Sequence, residues 1–421
     1  MREQAANSRK ILASHDNPQE EVDGKSLKER ATEEARAVKA ALADAEREEA
    51  AALTEIEELA LQLPNLTSED TPIGDEAAIM SYLNDEPGEA PKLQPKPARS
   101  HVDIGTELGI IDFAGASKAS GWGWYYLIGD AAKLEQALIQ YALSVVTKYG
   151  WTQVSPPSMV YSHIGAACGF QPRDQHGEQQ VYTIAQSEAD KDRKVPEMCL
   201  TGTSEISLAG MKAMTTIEVK DLPIRRVAVS RCYRAEAGGR GADTKGLYRV
   251  HEFTKVEMFA WTQPEAGETE DFFEEMLDIQ TEILSSLGLR CRVLSMPSHD
   301  LGASATRKVD IEAWFPSRQQ IKSDAEGVLQ PGGRDGWGEV TSASMCTDYQ
   351  TRRLATRLRL LNGKMDFPWT VNGTALAVPR VLAAILENGW DEETRTLNIP
   401  EVLQPWMEGR ERIGMEETVD D

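Results

Sequence analysis

An arginine and a glutamate two residues apart, followed on a returning strand by an aromatic ring and a second glutamate, form a set that can hold a nucleotide. They lie in the run Arg231 to Gly238 (RCYRAEAG) and the run Val250 to Glu257 (VHEFTKVE), joined by a polar loop rich in Gly and Arg. Side chains alternate along a strand. Arg234 and Glu236 therefore project to one side of an antiparallel hairpin, and so do Phe253 and Glu257. The same pattern also fits a surface hairpin with ordinary cross-strand charge pairs.

Such a hairpin needs a scaffold, and the chain is long enough to supply one. Its 421 residues exceed one ordinary domain and allow a large core with an appendage. A hydrophobic content of 41% and nine Trp indicate a globular protein. No run of about 18 apolar residues exists, so no membrane span is expected. The five cysteines, Cys168, Cys199, Cys232, Cys291 and Cys346, contain no C-x-x-C pair, which argues against a zinc ribbon and for a reducing compartment. Net charge is −23. That balance counts against a general DNA or RNA coat, which shows a basic footprint, but it leaves room for a local basic cleft.

The chain divides near residue 100. Leu27, Ala31, Ala35, Val38, Leu42, Ala45, Ala52, Ile56, Leu59 and Leu63 recur at steps of three and four, broken only around Glu49. This predicts a long helix with a coiled-coil seam. It should stop before Pro64. The seam needs a partner helix, and residues 1–13 are the only local candidate and too short to cover it, so the rest of the partner is expected to lie upstream or to be supplied by another chain. Residues 67–100 read as a linker, with four prolines among polar residues between 75 and 100. A globular domain is expected over 101–410, with an acidic tail at 411–421. Within it, helical patterns (131–149, 272–287, 375–387) are outnumbered by β-rich runs (152–154, 181–183, 226–234, 252–261, 290–294, 309–314, 337–342). Successive strands join mainly through hairpins, which predicts an α+β domain with an antiparallel sheet.

The hairpin resembles motif 2 of class II aminoacyl-tRNA synthetases, and its wording resembles the seryl branch of that family. Other segments agree in order. The helix at 131–149 and the strand ending at Pro156 and Pro157 resemble motif 1, which the family uses to dimerise. Ser120 to Ala131 (SGWGWYYLIGDA) is similar to the seryl branch's entry segment. Thr201 to Glu205 (TGTSE) resembles its Thr-x-Glu loop, although Thr203 before Glu205 is equally a helix N-cap. Asn372 to Arg380 (NGTALAVPR) resembles motif 3, with Ala375 and Pro379 where the family often has Gly. Pro64, Asn65 and Leu66, then Pro72 and Gly74, stand where the family ends its two-helix arm, so residues 1–66 would be the arm that grips tRNA. Against that, Leu27 to Leu63 carries more Asp and Glu than Lys and Arg, which is poor for phosphate contact.

The resemblance implies a reaction and its residues. An α-phosphate gaining charge under attack by a carboxylate needs cations around it. Arg234, Glu236 and Arg380 are the expected catalytic set, with Arg380 toward the γ-phosphate. Val250, His251, Glu252, Phe253, Glu339, Val340, Thr341 and Ser342 would complete the ATP site, with Phe253 stacked on adenine. Glu339 and Ser342 would hold Mg²⁺. Thr203 and Glu205 would take the ammonium of L-serine, and Glu257, Asn372 and Thr374 its hydroxyl; an acceptor pair of that kind rejects analogues without the hydroxyl. The expected activity is ATP-dependent ligation of serine to tRNA(Ser) through a seryl-adenylate, by a homodimer without membrane or DNA partners. Alternatives are an amino acid:carrier-protein ligase and an inactive scaffold paralogue. The wordings around Glu205 and Arg380 resemble fungal mitochondrial members, so the mitochondrial matrix is expected, with the transit peptide upstream; the alternative is the cytoplasm.

Overall fold

The computed structural model describes residues 21–22, 25–84, 99–170, 179–235, 246–319, 321–323, 329–331 and 336–414. Contacts divide the chain into two units, Met1–Leu63 and Pro64–Asp421. The first contains one long helix, α1 (Leu27–Gln62), preceded by a two-stranded pairing of Glu21–Val22 with Lys25–Ser26. Its Ala, Glu, Lys and Leu content favours helix throughout. Among its described side chains none is buried, and Leu53, Ile56 and Leu59 are more than half exposed. The short partner expected at residues 1–13 lies outside the described residues.

The second unit is built on an eight-stranded sheet. In chain order its strands are β1 (Ala78–Leu83), β2 (Thr152–Val154), β3 (Ile224–Tyr233), β4 (Glu252–Thr262), β5 (Cys291–Ser295), β6 (Arg307–Trp314), β7 (Trp337–Thr347) and β8 (Trp369–Ala377). Across the sheet they run β1-β5-β6-β7-β8-β4-β3-β2. Every pairing is antiparallel except β3 with β2. The helices that position the site are α2 (His101–Glu107), α3 (Asp130–Lys148), α4 (Ser204–Gly210), α5 (Ala266–Ser286) and α6 (Val378–Gly389).

The α+β expectation holds, with three local differences. Ala78–Leu83, inside the stretch read as linker, is the edge strand of the sheet, pairing with β5 from Ala78↔Ser295 to Leu83↔Cys291. Its polar flanks concealed a six-residue run that only a neighbouring strand stabilises. The helix expected from residue 375 begins at Val378, because Ala375 to Ala377 finish β8. Pro379 falls in the first helical turn, where its missing N–H would have had no intrahelical partner. Of the run at 181–183, Thr183 makes an isolated bridge to Cys199.

Strand β4 shows how the core and the site share one element. Val256, Met258 and Ala260 enter the main core with Leu138, Phe273, Ile283 and Leu382 from the helices. The alternate residues Phe259 and Trp261 enter a second cluster with Ile206 and Leu208 of α4. Phe253, Lys255 and Glu257, of that same parity, lie nearer the start of the strand. Both faces are therefore covered, and polar groups on the second face must be satisfied by one another.

Candidate active site

The cleft opens where two central strands stop pairing. Strands β7 and β8 are hydrogen-bonded from Thr347↔Thr370 to Ala343↔Gly373, and beyond that the pairing ends. Carbonyls released there find side-chain donors. Buried Gln280 of α5 donates its Nε2 to the carbonyls of both Ser342 and Thr374, each at 2.9 Å, and the Thr341 hydroxyl donates to the Thr374 carbonyl. The resulting open space is about 600 Å³, lined by Arg234, Tyr248, Arg249, Val250, Phe253, Lys255, Glu339, Val340, Thr341, Thr374, Ala377, Pro379 and Arg380.

Two β-bulges decide which side chains share the cleft. In β8 the register shifts between Val256↔Leu376 and Glu257↔Thr374. The extra residue, Ala375, brings Thr374 directly opposite Glu257, and the Thr374 hydroxyl donates to Glu257 Oε2 at 3.0 Å. In β7 the shift between Ile311↔Thr341 and Glu312↔Glu339 leaves Val340 as the extra residue. Strict alternation would put Glu339 and Ser342 on opposite faces. With the bulge, they face Glu312 and Asp310, which lie on one side of β6.

At one end of the cleft lies a buried polar cluster. Glu257 is 1% exposed, and its Oε2 pairs with Lys255 Nζ at 2.7 Å. Lys255 also donates to the Thr203 hydroxyl at 2.7 Å. Thr203 caps α4 by accepting from the Glu205 N–H at 3.2 Å, so it satisfies the helix end and reaches the cluster at once. Burial, then the nearby Glu257, push the Glu205 carboxyl up to about 8, against the opposing pull of Lys255, Gln350 and Arg234. Breaking a buried ion pair costs about 3–5 kcal/mol, so Lys255 and Glu257 act as a unit. Asn372 sits on the same face of β8, two residues from Thr374, its Oδ1 accepting from Cys346 Sγ at 3.4 Å.

The other end is cationic. The Arg234 guanidinium lies over the Phe253 ring at 5.2 Å. Arg380, from the start of α6, pairs through Nη1 with Glu339 Oε2 at 3.1 Å, donates to the Glu339 carbonyl at 3.1 Å, and donates Nε to the Tyr248 carbonyl at 3.2 Å. Burial alone would raise the Glu339 carboxyl, but Arg380, Lys308 and Arg234 outweigh it and bring it down to about 2. Glu339 stays ionised, and its side chain is 40% exposed toward the cleft. It and Ser342 can offer hard oxygens to a divalent cation. Behind them Asp310 is buried, with Oδ2 on Lys308 Nζ at 2.8 Å and Oδ1 without a hydrogen-bond partner. Among the described residues no cluster of three or more His, Cys, Asp or Glu could hold a metal, so a divalent cation here would depend on oxygens from outside such a cluster.

Not every expected residue lines the cleft: Thr203 and Glu257 touch it through Lys255 and Thr374, and Glu205, Ser342 and Asn372 are also outside its lining. His251 lies behind it, with Nδ1 2.8 Å from the Tyr182 hydroxyl and 3.0 Å from the Arg234 carbonyl, and its ring stacks on Trp124. A Cβ at Gly123 would come within 2.7 Å of that ring, so this contact requires glycine. Glu252 pairs with Arg231 at 3.6 Å. Glu236 is outside the described residues. Conversely, the sequence pattern did not single out Lys255, Tyr248, Gln280 or Gln350. Lys255 has the parity of Phe253 and Glu257 and was findable on that ground. The two glutamines carry no local signal, since their partners are 20 to 145 residues away.

The chain has relatives with this architecture. Residues 182–389 match the model of the tRNA synthetase class II core domain (G, H, P, S and T). The mitochondrial serine–tRNA ligase of Saccharomyces cerevisiae is 43% identical over 75% of this chain and 66% of its own length. The serine–tRNA ligase of Treponema denticola is 38% identical over 92% of this chain and 84% of its own. Among solved structures, the seryl-tRNA synthetase of Pyrococcus horikoshii complexed with ATP superposes with a TM-score of 0.80 and 31% identity, covering 99% of this chain and 89% of that one. The chain thus spans about two thirds of the length of the yeast relative and most of the bacterial one. With a shared core fold and identity above 35% over most of its length, this chain belongs to the serine–tRNA ligase family of class II aminoacyl-tRNA synthetases.

Proposed function

We propose that this protein activates L-serine with ATP and transfers it to tRNA(Ser). A serine carboxylate oxygen attacks the α-phosphorus of ATP, the bond to the bridging oxygen breaks, and pyrophosphate leaves. The terminal ribose hydroxyl of tRNA then attacks the acyl carbon, the acyl bond to the phosphate oxygen breaks, and AMP leaves with its phosphate taking up the hydroxyl proton. Arg234 stabilises the charge that grows on the α-phosphate, Phe253 supports the adenine, and Arg380 holds the distal phosphates. Glu205 and Thr203 receive the ammonium, an arrangement suited to three N–H donors. Glu257 and Thr374 take the side-chain hydroxyl, with Asn372 beside them. Glu236 is assigned to the adenine amino group or the tRNA end by resemblance alone. Glu339 and Ser342 would hold Mg²⁺, which supplies neutralisation of phosphate charge when bound. No general base is needed, because positioning and fixed charges suffice.

The observation that carries this reading is the Glu257–Thr374 pair at 3.0 Å, buried at the end of a cleft whose opposite end is cationic. Such a pair suits a hydroxylated ligand. The test is ATP/pyrophosphate exchange. Serine should support it without tRNA and alanine should not, and adding tRNA(Ser) should yield charged tRNA. Absence of serine-dependent exchange would overturn the proposal, whereas exchange without tRNA charging would favour the carrier-protein ligase.

The resemblance of α3 and β2 to motif 1 supports a homodimer, which sedimentation would detect. α1 is assigned to tRNA. The mitochondrial relatives support the matrix as the compartment, and imaging the full-length gene product would distinguish this from the cytoplasm.

A further inference from the structure

Gln350 lies in a short helix, Tyr349–Arg353, and is fully buried. Its amide is engaged at both ends. Nε2 donates to Glu205 Oε1 at 2.6 Å, and Oε1 accepts from the Thr370 hydroxyl at 2.8 Å. The hydroxyl has a single proton, and its other acceptor, the Thr347 carbonyl, is farther at 3.4 Å. Thr370 therefore orients the amide with its N–H side toward Glu205. Reversed, the amide oxygen would sit at 2.6 Å from an ionised carboxylate oxygen, a repulsive contact.

We propose that Gln350 is a positioning residue for amino-acid binding: it holds the Glu205 carboxylate in place for the substrate ammonium, with the Thr370 hydroxyl orienting the amide. This rests on the serine-ligase reading above. The electrostatics agree with the geometry. Burial and Glu257 raise Glu205, while Lys255, the Gln350 hydrogen bond and Arg234 oppose them. Losing the amide removes one of the opposing influences, so Glu205 stays neutral to a higher pH, and a neutral carboxyl is a weaker partner for an ammonium.

The test uses the full chain with Gln350→Met, which keeps side-chain length but not the donor, in the exchange assay between pH 7 and 9. The Michaelis constant for serine should rise roughly ten- to a hundredfold at pH 7, the range for a lost hydrogen bond to a charged group. The constant for ATP should stay within about twofold, and the serine defect should shrink as pH rises. Thr370→Val should act in the same direction more weakly, and Thr370→Ser should restore the parental value; this pair decides the question if Gln350→Met does not fold. A serine constant near parental in Gln350→Met, or serine and ATP constants rising together without pH dependence, would overturn the role. Where Gln350→Met does not fold, an unchanged serine constant in Thr370→Val does the same. Absence of exchange in the parent chain would instead defeat the ligase reading.

Discussion

Two glutamates of the candidate site are driven in opposite directions, Glu205, buried beside the cleft, up to about 8 and Glu339, in its lining, down to about 2. Glu205 is 6% exposed and the Glu339 side chain 40%, but burial pushes both carboxyls upward, so burial alone would not send one of them down. The difference lies in the cations each receives. Glu205 shares the influence of Lys255 with Glu257, whereas Glu339 has Arg380 at 3.1 Å, with Lys308 and Arg234 also acting on it. One end of the cleft is short of positive charge until a ligand brings it. The other holds cations in excess of its carboxylates. An ammonium suits the first and a polyphosphate the second, so a single molecule joining the two must have its carboxylate at their boundary, near Arg234.

The strongest way to break that division is at its boundary. Arg234→Ala should abolish serine-dependent exchange while leaving the fold intact, since a donor facing developing charge is worth roughly 3–4 kcal/mol, or a hundred- to a thousandfold in rate. Exchange within tenfold of the parent would remove Arg234 from the phosphate end.

At the amino-acid end, Glu257→Ala should lower the preference for serine over alanine roughly ten- to a hundredfold by removing a charged acceptor. It also leaves Lys255 buried without its partner, so the melting temperature should fall. An unchanged serine-to-alanine ratio would take Glu257 out of the pocket.

The pH profile separates the two ends without mutation. A carboxyl raised to about 8 is mostly neutral at pH 7, so kcat/KM for serine should climb roughly tenfold between pH 7 and its plateau. Bound ammonium favours the ionised form, so the corresponding limb in kcat should lie at lower pH. Glu339, ionised from about pH 2 upward, predicts no such limb in ATP binding between pH 5 and 9. A common limb in both would erase the contrast.

The smallest effect on the cleft is expected from deleting residues 1–63, which form a separate unit. Exchange should change less than about twofold, because every assigned ATP and serine contact lies after residue 200, while tRNA charging should collapse. Equal charging by both chains would assign α1 to assembly or another partner.

Much of this was legible beforehand, for identifiable reasons. Alternation in the hairpin strands placed Arg234 beside Phe253, as their 5.2 Å contact bears out, because a strand's period is a property of the backbone. The same property made α1 readable from its three- and four-residue steps. Opaque were the features set by two strands at once. Glu339 shares a face with Ser342, and Thr374 meets Glu257, only because β7 and β8 each carry an extra residue; family resemblance paired these residues, but strand alternation could not, because a bulge is a relation between neighbours that neither strand encodes alone.

The chain by itself determined which groups are available: an arginine and an aromatic at hairpin spacing, a Thr-x-Glu loop, and a basic residue opening the last long helix. It also determined the class of fold, since hydrophobic period and turn residues act over a few positions. Only the tertiary structure decided the charge state of those groups and who holds them. Glu205 and Glu339 are the same residue type, and what distinguishes them is Gln350, Lys255, Arg380 and Lys308 brought from distant segments to within reach of their carboxyls. Electrostatic environment is a sum over neighbours in space, and that sum has no counterpart along the chain.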